Sequence, residues 1–263
     1  MILKETYASR RLHDAWESVY RGNPTVDRLN DRMMDRILAC VAAPPNALFL
    51  DAGCGIGDHA VRIALRGYRC LGVDISAAVL REAKKSIADQ GLQSRISLVC
   101  QPLEELSLGD GTVDVVHCRG VLMHIPEWER ALHHLCRVLR PGGKIVLLEL
   151  NHRSLETRIV RLARRFRSSK SQIRNTDAGL EFWSEEQGLP FVVRNANTRY
   201  LADRLRSQGF GSMTPFATEF WDINRFPAGI IRSAVLRFNE LWFRLRLPAA
   251  PSGGIAIIGT KAG

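Results

Sequence analysis

Leu48 to Gly57, Leu-Phe-Leu-Asp-Ala-Gly-Cys-Gly-Ile-Gly, is the stretch that most limits the folds open to this chain. A short apolar run stops at Asp51 and breaks into glycines on alternate positions, 53, 55 and 57. This is the pattern of a buried parallel strand ending in a tight turn that opens a helix, with Val61, Ile63 and Ala64 among that helix's apolar positions. Lacking three Cβ atoms, the turn can pass close to a bound group, and the helix behind it offers backbone N–H groups. From residue 48 onward strand and helix patterns alternate, which predicts an α/β fold with a parallel sheet and crossover helices.

The second strand is Cys70-Leu-Gly-Val-Asp74, and Asp74 lies 23 positions after Asp51 (74 less 51). That is near the spacing at which an acid ending the second strand receives ribose hydroxyls. The plainer reading is an acid that caps the following helix. Ile96 to Cys100 is the third strand, followed by Gln101-Pro102-Leu103-Glu104. Asp110 to Arg119 reads as a turn and a fourth strand, a helix follows from about 127 to 139, and Pro141-Gly142-Gly143 turns into a fifth strand ending near Glu149. Two cofactors suit the glycine turn. The dinucleotide fingerprint Gly-x-Gly-x-x-Gly or Ala fails when counted from Gly53, where Asp58 would repel a phosphate, but is met from Gly55, where the third position is Ala60. Spacing alone leaves NAD open.

Taken together, the glycine run with Asp51 before it, Gly-Val-Leu-Met-His-Ile-Pro-Glu at 120–127 and Leu-Arg-Pro-Gly-Gly-Lys-Ile-Val-Leu-Leu-Glu at 139–149 resemble class I S-adenosylmethionine-dependent methyltransferases. The resemblance is to small-molecule enzymes related to those of ubiquinone and menaquinone biosynthesis, and it covers residues 48 to 150. It implies a doubly wound, Rossmann-like, seven-stranded sheet with S-adenosylmethionine as cofactor. Leu201–Gln208 with Gly209-Phe210 then looks like the helix, C-cap and sixth strand, and Gly253–Lys261 like an antiparallel seventh. The cofactor-binding residues it implies are Asp51, Gly53, Cys54, Gly55, Gly57, Asp74, Ile75, Gln101, Pro102, Leu103 and Arg119. Pro102 stands where the family commonly has an acid that reaches the adenine amino group, a departure that bears on the adenine contact.

Domain organisation follows from the same landmarks: an N-terminal helical cap over 1–47, then the methyltransferase domain over 48–263, with helical lid insertions at about 151–197 and 217–250. In the cap, Leu29, Met33, Ile37, Leu38 and Val41 recur at helical spacing and Pro44-Pro45 ends the helix. Ahead of it, Tyr7, Trp16 and Tyr20 lie among Arg10, Arg11 and Arg21, and in the resembling family such a segment often closes over the cofactor. The formal charge of +10 concentrates in the insertions. Residues 151–174 hold eight Arg or Lys against one acid, Glu156. Ile159, Val160, Leu162, Ala163 and Phe166 alternate there with Arg158, Arg161, Arg164, Arg165 and Arg167, a basic amphipathic helix, and 230–246 repeats the character. These arginines are expected to bind an anionic group of a substrate, to hold the protein on an anionic membrane, or simply to face solvent. No nucleic-acid module accompanies them.

No window approaches the roughly 18 apolar residues of a membrane span, and the opening Met-Ile-Leu-Lys-Glu-Thr-Tyr lacks a signal-peptide core, so a cytoplasmic protein is expected. The six cysteines show no metal-ligand spacing and read as small buried hydrophobes. No metal is expected.

The expected activity is methyl transfer to a small molecule, anionic or lipophilic. An activated methyl chiefly requires alignment and exclusion of water. Where the acceptor must lose a proton, His124 after the fourth strand is the leading base, followed by Glu149 and His152 at the end of the fifth. Each has a plainer role available, as a brace, a cap or a solvated side chain. For an alkene acceptor, Glu149, Glu181 or Trp183 would stabilise a carbocation. The alternatives are an NAD-dependent dehydrogenase and a non-catalytic module that holds the cofactor.

Overall fold

The computed structural model describes residues 2–10, 23–164, 172–186 and 188–263. Arg11, Trp16, Tyr20 and Arg21, and likewise Arg165, Phe166 and Arg167, lie outside the described residues. The helices, numbered over the described residues, are α1 (Ile2–Ala8), α2 (Pro24–Val41), α3 (Asp58–Leu65), α4 (Ala77–Asp89), α5 (Trp128–Val138), α6 (Leu155–Arg164), α7 (Thr198–Ser207) and α8 (Ile230–Arg244). The strands are β1 (Leu48–Ala52), β2 (Arg69–Asp74), β3 (Ile96–Cys100), β4 (Val113–Arg119), β5 (Leu139–Leu150), β6 (Gln172–Thr176), β7 (Gly179–Glu186), β8 (Leu189–Ala196), β9 (Phe210–Glu219) and β10 (Gly254–Lys261).

Seven strands form one sheet in the order β3-β2-β1-β4-β5-β10-β9. β1 pairs in parallel with β2 and β4, and β4 with β5, while β10 runs antiparallel to both β5 and β9. Alternation along the strands builds two cores. Phe49, Val115, Val146 and Ala256 face α2, α3 and Phe243 of α8, and Leu50, Val116, Leu147 and Ile257 face α5 and α7. α2 starts on Asn23, whose side chain accepts from the amides of Thr25 and Val26, with Pro24 at the first helical position. It buries Leu29, Met33, Ile37 and Val41, with Leu38 partly buried, and ends at Ala42 before the two prolines.

Three expectations need correction. The first insertion is not a helical lid: after the short α6 it forms a three-stranded antiparallel sheet, β6-β7-β8. Its aromatic and β-branched residues, Phe182, Trp183, Phe191, Val192 and Val193, favour strands, a signal overshadowed by the count of arginines. β9 extends to Glu219, into the start of the second insertion. Cys40 and Cys100 are exposed, so only four of the six cysteines are small buried hydrophobes.

The inserted sheet is fixed over the carboxyl ends of the main sheet. Asn151 bridges to Ala196, and Arg194 of β8 donates to the carbonyls of Leu122 and Ile125 in the turn after β4, at 3.0 and 3.2 Å. α1 completes the roof. The Tyr7 hydroxyl donates to the Val192 carbonyl and accepts from the Val192 amide, both at 3.0 Å, the Ser76 hydroxyl donates to the Ala8 carbonyl at 2.9 Å, and Lys4 pairs with Glu105 at 2.7 Å. A single short helix thus links the turns after β2 and β3 to the insertion.

Candidate active site

The glycine turn owes its course to left-handed backbone at Gly53 and Gly55 and to one close contact. At Gly53 φ is +74°, and a Cβ there would lie 2.3 Å from Val121 Cγ2. At Gly55 φ is +52° and a Cβ would meet nothing within 4 Å, so the open side of the turn lies there. The amides of Gly53 and Cys54 both bond the Val73 carbonyl, at 2.7 and 3.0 Å, which fastens the turn to β2. Asp74, buried at the tip of β2, accepts from the amides of Gly55 and Ser76, each at 2.9 Å. Its carboxylate therefore fixes the turn that it would share with a ligand. α3 begins at Gly57 with no side-chain cap on its N-terminus.

Several buried polar atoms point to a polar ligand. Asp51 uses Oδ1 to accept from His117 Nδ1 at 2.8 Å, while Oδ2 has no partner among the described residues. Gln101 accepts from the Ser107 hydroxyl at 2.9 Å, and its buried Nε2 likewise has no partner among them. Asp51 Oδ2 suits an ammonium, the Asp74 carboxylate suits ribose hydroxyls, and Gln101 suits an adenine edge. These donors and acceptors fit S-adenosylmethionine without a phosphate cradle.

The other implied residues divide by what they touch. Cys54 packs beneath the turn, its Sγ 2.9 Å from where a Cβ on Gly72 would sit, and burial pushes its thiol well up, so it is a small side chain in a crowded place. Leu103 belongs to the core, whereas Ile75 and Pro102 are half-buried at the strand tips. Arg119 donates to Asn30 Oδ1 of α2 at 2.7 Å and faces His59 Nε2 at 3.0 Å. His59 and His117 lie with ring centroids 5.2 Å apart, and burial, with Arg119 next in weight, holds His59 well below its ordinary pKa.

On the other side of the strand ends, Glu149 lines a small pocket with Leu122, Met123, Trp128, Arg194 and Leu201. Its Oε1 is buried without a partner among the described residues. Burial pushes the carboxyl up to about 8, against Arg194 and the amides of Leu122 and Met123, which favour its charged form. Arg194 stands opposite Glu181 in the β7–β8 register and bonds it through Nε and Nη2, both at 2.9 Å. Glu181 also accepts from Trp183 Nε1 at 2.9 Å, so Glu181 and Trp183 are tied into the inserted sheet.

His124 donates from Nδ1 to the Val192 carbonyl at 2.9 Å, which places the imidazole lone pair on Nε2. Its ring lies 5.3 Å from both Tyr7 and Phe191. His152 donates from Nδ1 to the Ala196 carbonyl at 3.0 Å, bracing β8, and burial lowers its pKa. The structure thus gathers Asp51, Gly55, Asp74 and Gln101 around the glycine turn, and Glu149 with Arg194 about a separate apolar cavity. Asn30, His59, His117, Trp128 and Arg194 were missed in the sequence, because none sits in a motif and each reaches the site through pairing or packing across the chain.

A sheet of this order with a glycine turn and an acid at the tip of β2 defines the Rossmann-like methyltransferase fold. Residues 50–147 match the family described as a methyltransferase domain. The match covers less than half of this chain, and with the structure neighbour that binds S-adenosylhomocysteine it supports S-adenosylmethionine, not NAD, as the cofactor. Over 135 residues the chain is 30% identical to the probable tocopherol O-methyltransferase of Oryza sativa, covering 49% of this chain and 37% of that protein. Over 137 residues it is 29% identical to the ubiquinone biosynthesis O-methyltransferase of Alkalilimnicola ehrlichii, covering 52% and 54%. The match therefore spans about half or less of these curated relatives. The magnesium protoporphyrin IX methyltransferase of Synechocystis, solved with bound S-adenosylhomocysteine, superposes with a TM-score of 0.62 at 16% identity, covering 98% of this chain and 97% of that one, a likeness of fold.

Proposed function

We propose that this chain methylates a small, largely apolar molecule whose reacting end reaches the pocket beside Glu149, between the ends of β4 and β5 and the inserted sheet. S-adenosylmethionine, when bound, supplies a methyl group activated by a positively charged sulfur. Asp51, Asp74 and Gln101 would hold it at the glycine turn. The inserted sheet and α1 exclude water, and the protein's remaining task is to orient the acceptor and handle its proton.

The observation that carries this reading is the orphaned oxygen of Glu149 inside a cavity otherwise lined mainly by apolar side chains. Below about pH 8 the carboxyl is neutral and can donate a hydrogen bond to the acceptor; above it, the carboxylate can take a proton. Arg194 is spent on Glu181 and two carbonyls, which favours a lipophilic acceptor over an anionic one at this cavity. His124, its lone pair on Nε2, is the second base, and His152 acts as a brace. Peripheral contact with a membrane, carried by the basic insertions, is a further part of the reading; among the described residues no helix is long and apolar enough to cross one.

The test begins with calorimetric titration of S-adenosylhomocysteine and, separately, NAD, into wild type and Asp74→Ala. Binding of the former only, weakened at least ten-fold by the substitution, is expected, and binding of NAD instead would sink the reading. A labelled-methyl screen of apolar phenols, amines and isoprenoid lipids follows. With Glu149 as base, kcat/KM of the acceptor that responds rises with pH to a plateau above about 8, and Glu149→Gln flattens the profile. A profile unchanged in that variant would pass the proton to His124.

A further inference from the structure

α6 and α8 turn apolar stripes to the outside. On α8, Ile230, Ala234, Phe238, Leu241 and Leu245 follow one another at helical spacing on the exposed side, with Ile230 89%, Phe238 41%, Leu241 48% and Leu245 58% exposed. On α6, Leu155, Ile159 and Leu162 do the same, at 42%, 48% and 57%. Scattered surface leucines are ordinary, but two helices that each expose a continuous stripe are not.

The charge around the stripes has one sign. Exposed Arg158 and Arg161 flank the α6 stripe, and exposed Arg237 and Arg244 the α8 stripe, and none of the four makes an ion pair among the described residues. The acids of these helices are turned away. Glu156 is buried against Arg225 and the Asp222 amide, and Glu240 pairs with Arg32 at 2.7 Å. Both helices are braced on one turn. Glu156 at the start of α6 accepts from Arg225 at 3.0 Å, while Phe220 packs on Phe238 and Trp242 of α8 with centroids 5.3 and 4.4 Å away, and Asn239 accepts from the amides of Phe220 and Trp221.

We infer that these two stripes form a docking surface for an anionic lipid bilayer, with the aliphatic and aromatic side chains entering the interface and the arginines meeting lipid phosphates. This deepens the peripheral part of the reading above and does not depend on methyl transfer. Charge complementarity selects the occupant. A second copy of the chain would set arginines against arginines, whereas an anionic membrane surface satisfies both the apolar side chains and the unpaired cations.

The test is flotation of the full chain with vesicles of two parts phosphatidylcholine to one part phosphatidylglycerol, and with phosphatidylcholine alone. Binding to the anionic vesicles only, released by salt, is expected. Phe238→Ser with Leu241→Ser lowers binding roughly ten-fold or more, and Arg237→Gln or Arg244→Gln lowers it roughly five-fold each. All of these positions are exposed, Phe238 also packing on Phe220, and retained S-adenosylhomocysteine binding in each variant reports the fold. Wild type that fails to float with anionic vesicles overturns the inference, as does a dimer in light scattering that the Phe238 and Leu241 substitutions dissociate. Vesicle binding without S-adenosylhomocysteine binding would leave the surface standing and defeat the cofactor reading.

Discussion

Replacing Glu149 by Gln removes an ionisable group while keeping its shape, and the effect on stability follows from where the proton resides. Burial raises the carboxyl from 4.5 to about 8 in the folded protein, opposed by Arg194 and by the amides of Leu122 and Met123. At a pH between those two values the native state holds a proton that the unfolded chain has released. Wild type therefore loses stability as pH rises, at ~1.4 kcal/mol per pH unit, until the folded group itself ionises near pH 8. Over the whole window the loss is on the order of 5 kcal/mol. Urea denaturation of wild type and Glu149→Gln across neutral to alkaline pH reads the difference directly. The advantage of the variant should grow by ~2 kcal/mol from pH 6 to pH 8 and then level off. Glu156, raised to about 7, and Glu219, raised to about 8, have the same sign, but both remain in each protein and cancel in the difference. Parallel curves would show that Glu149 is not a desolvated neutral acid, and the donor role assigned to it would fall with them.

Two further substitutions test the frame around the site. Arg194→Met leaves the buried Glu181 carboxylate without its partner and frees the Leu122 and Ile125 carbonyls, so a loss of ~3–5 kcal/mol is expected in denaturant unfolding, and a loss under 1 kcal/mol would deny the pair its bracing role. Gly53→Ala drives a Cβ to 2.3 Å from Val121 Cγ2 in a left-handed backbone conformation, which should cost ~1–3 kcal/mol. Val121→Ala in the same chain relieves the contact and restores part of that loss. Additive effects of the two substitutions would place the strain elsewhere.

The fold was legible where local signals agree with tertiary demand. The apolar run to Asp51 with its alternate glycines announced β1, the turn and α3 together, because one short segment must satisfy strand burial, left-handed backbone and helix entry at once. The place of Asp74 at the end of β2 was legible for a similar reason, since the apolar run before it marks where the strand stops. The insertion between β5 and α7 was misread because its alternation is blurred. β7 buries Leu180, Glu181 and Phe182 in succession, with the polar Glu181 held by Arg194, so neither a clean period of two nor a helical period emerges.

What remained hidden shares one physical cause: the chemistry of the site is set by partners that only the sheets bring together. Asp51 and His117 meet because β1 and β4 pair in parallel with those residues in register, and nothing in either segment announces the other. Glu181 and Arg194 face each other by the register of β7 and β8, and their pairing means that the guanidinium lining the pocket among the described residues is already engaged. The sequence left an anionic and a lipophilic acceptor both open, and the engaged guanidinium favours the apolar acceptor proposed above. The arginines of the insertions divide between a structural role in ion pairs, in Arg194 and Arg225, and an outward role, in Arg158, Arg161, Arg237 and Arg244. Net charge cannot make that division, because burial and register determine which cations are left to meet a partner.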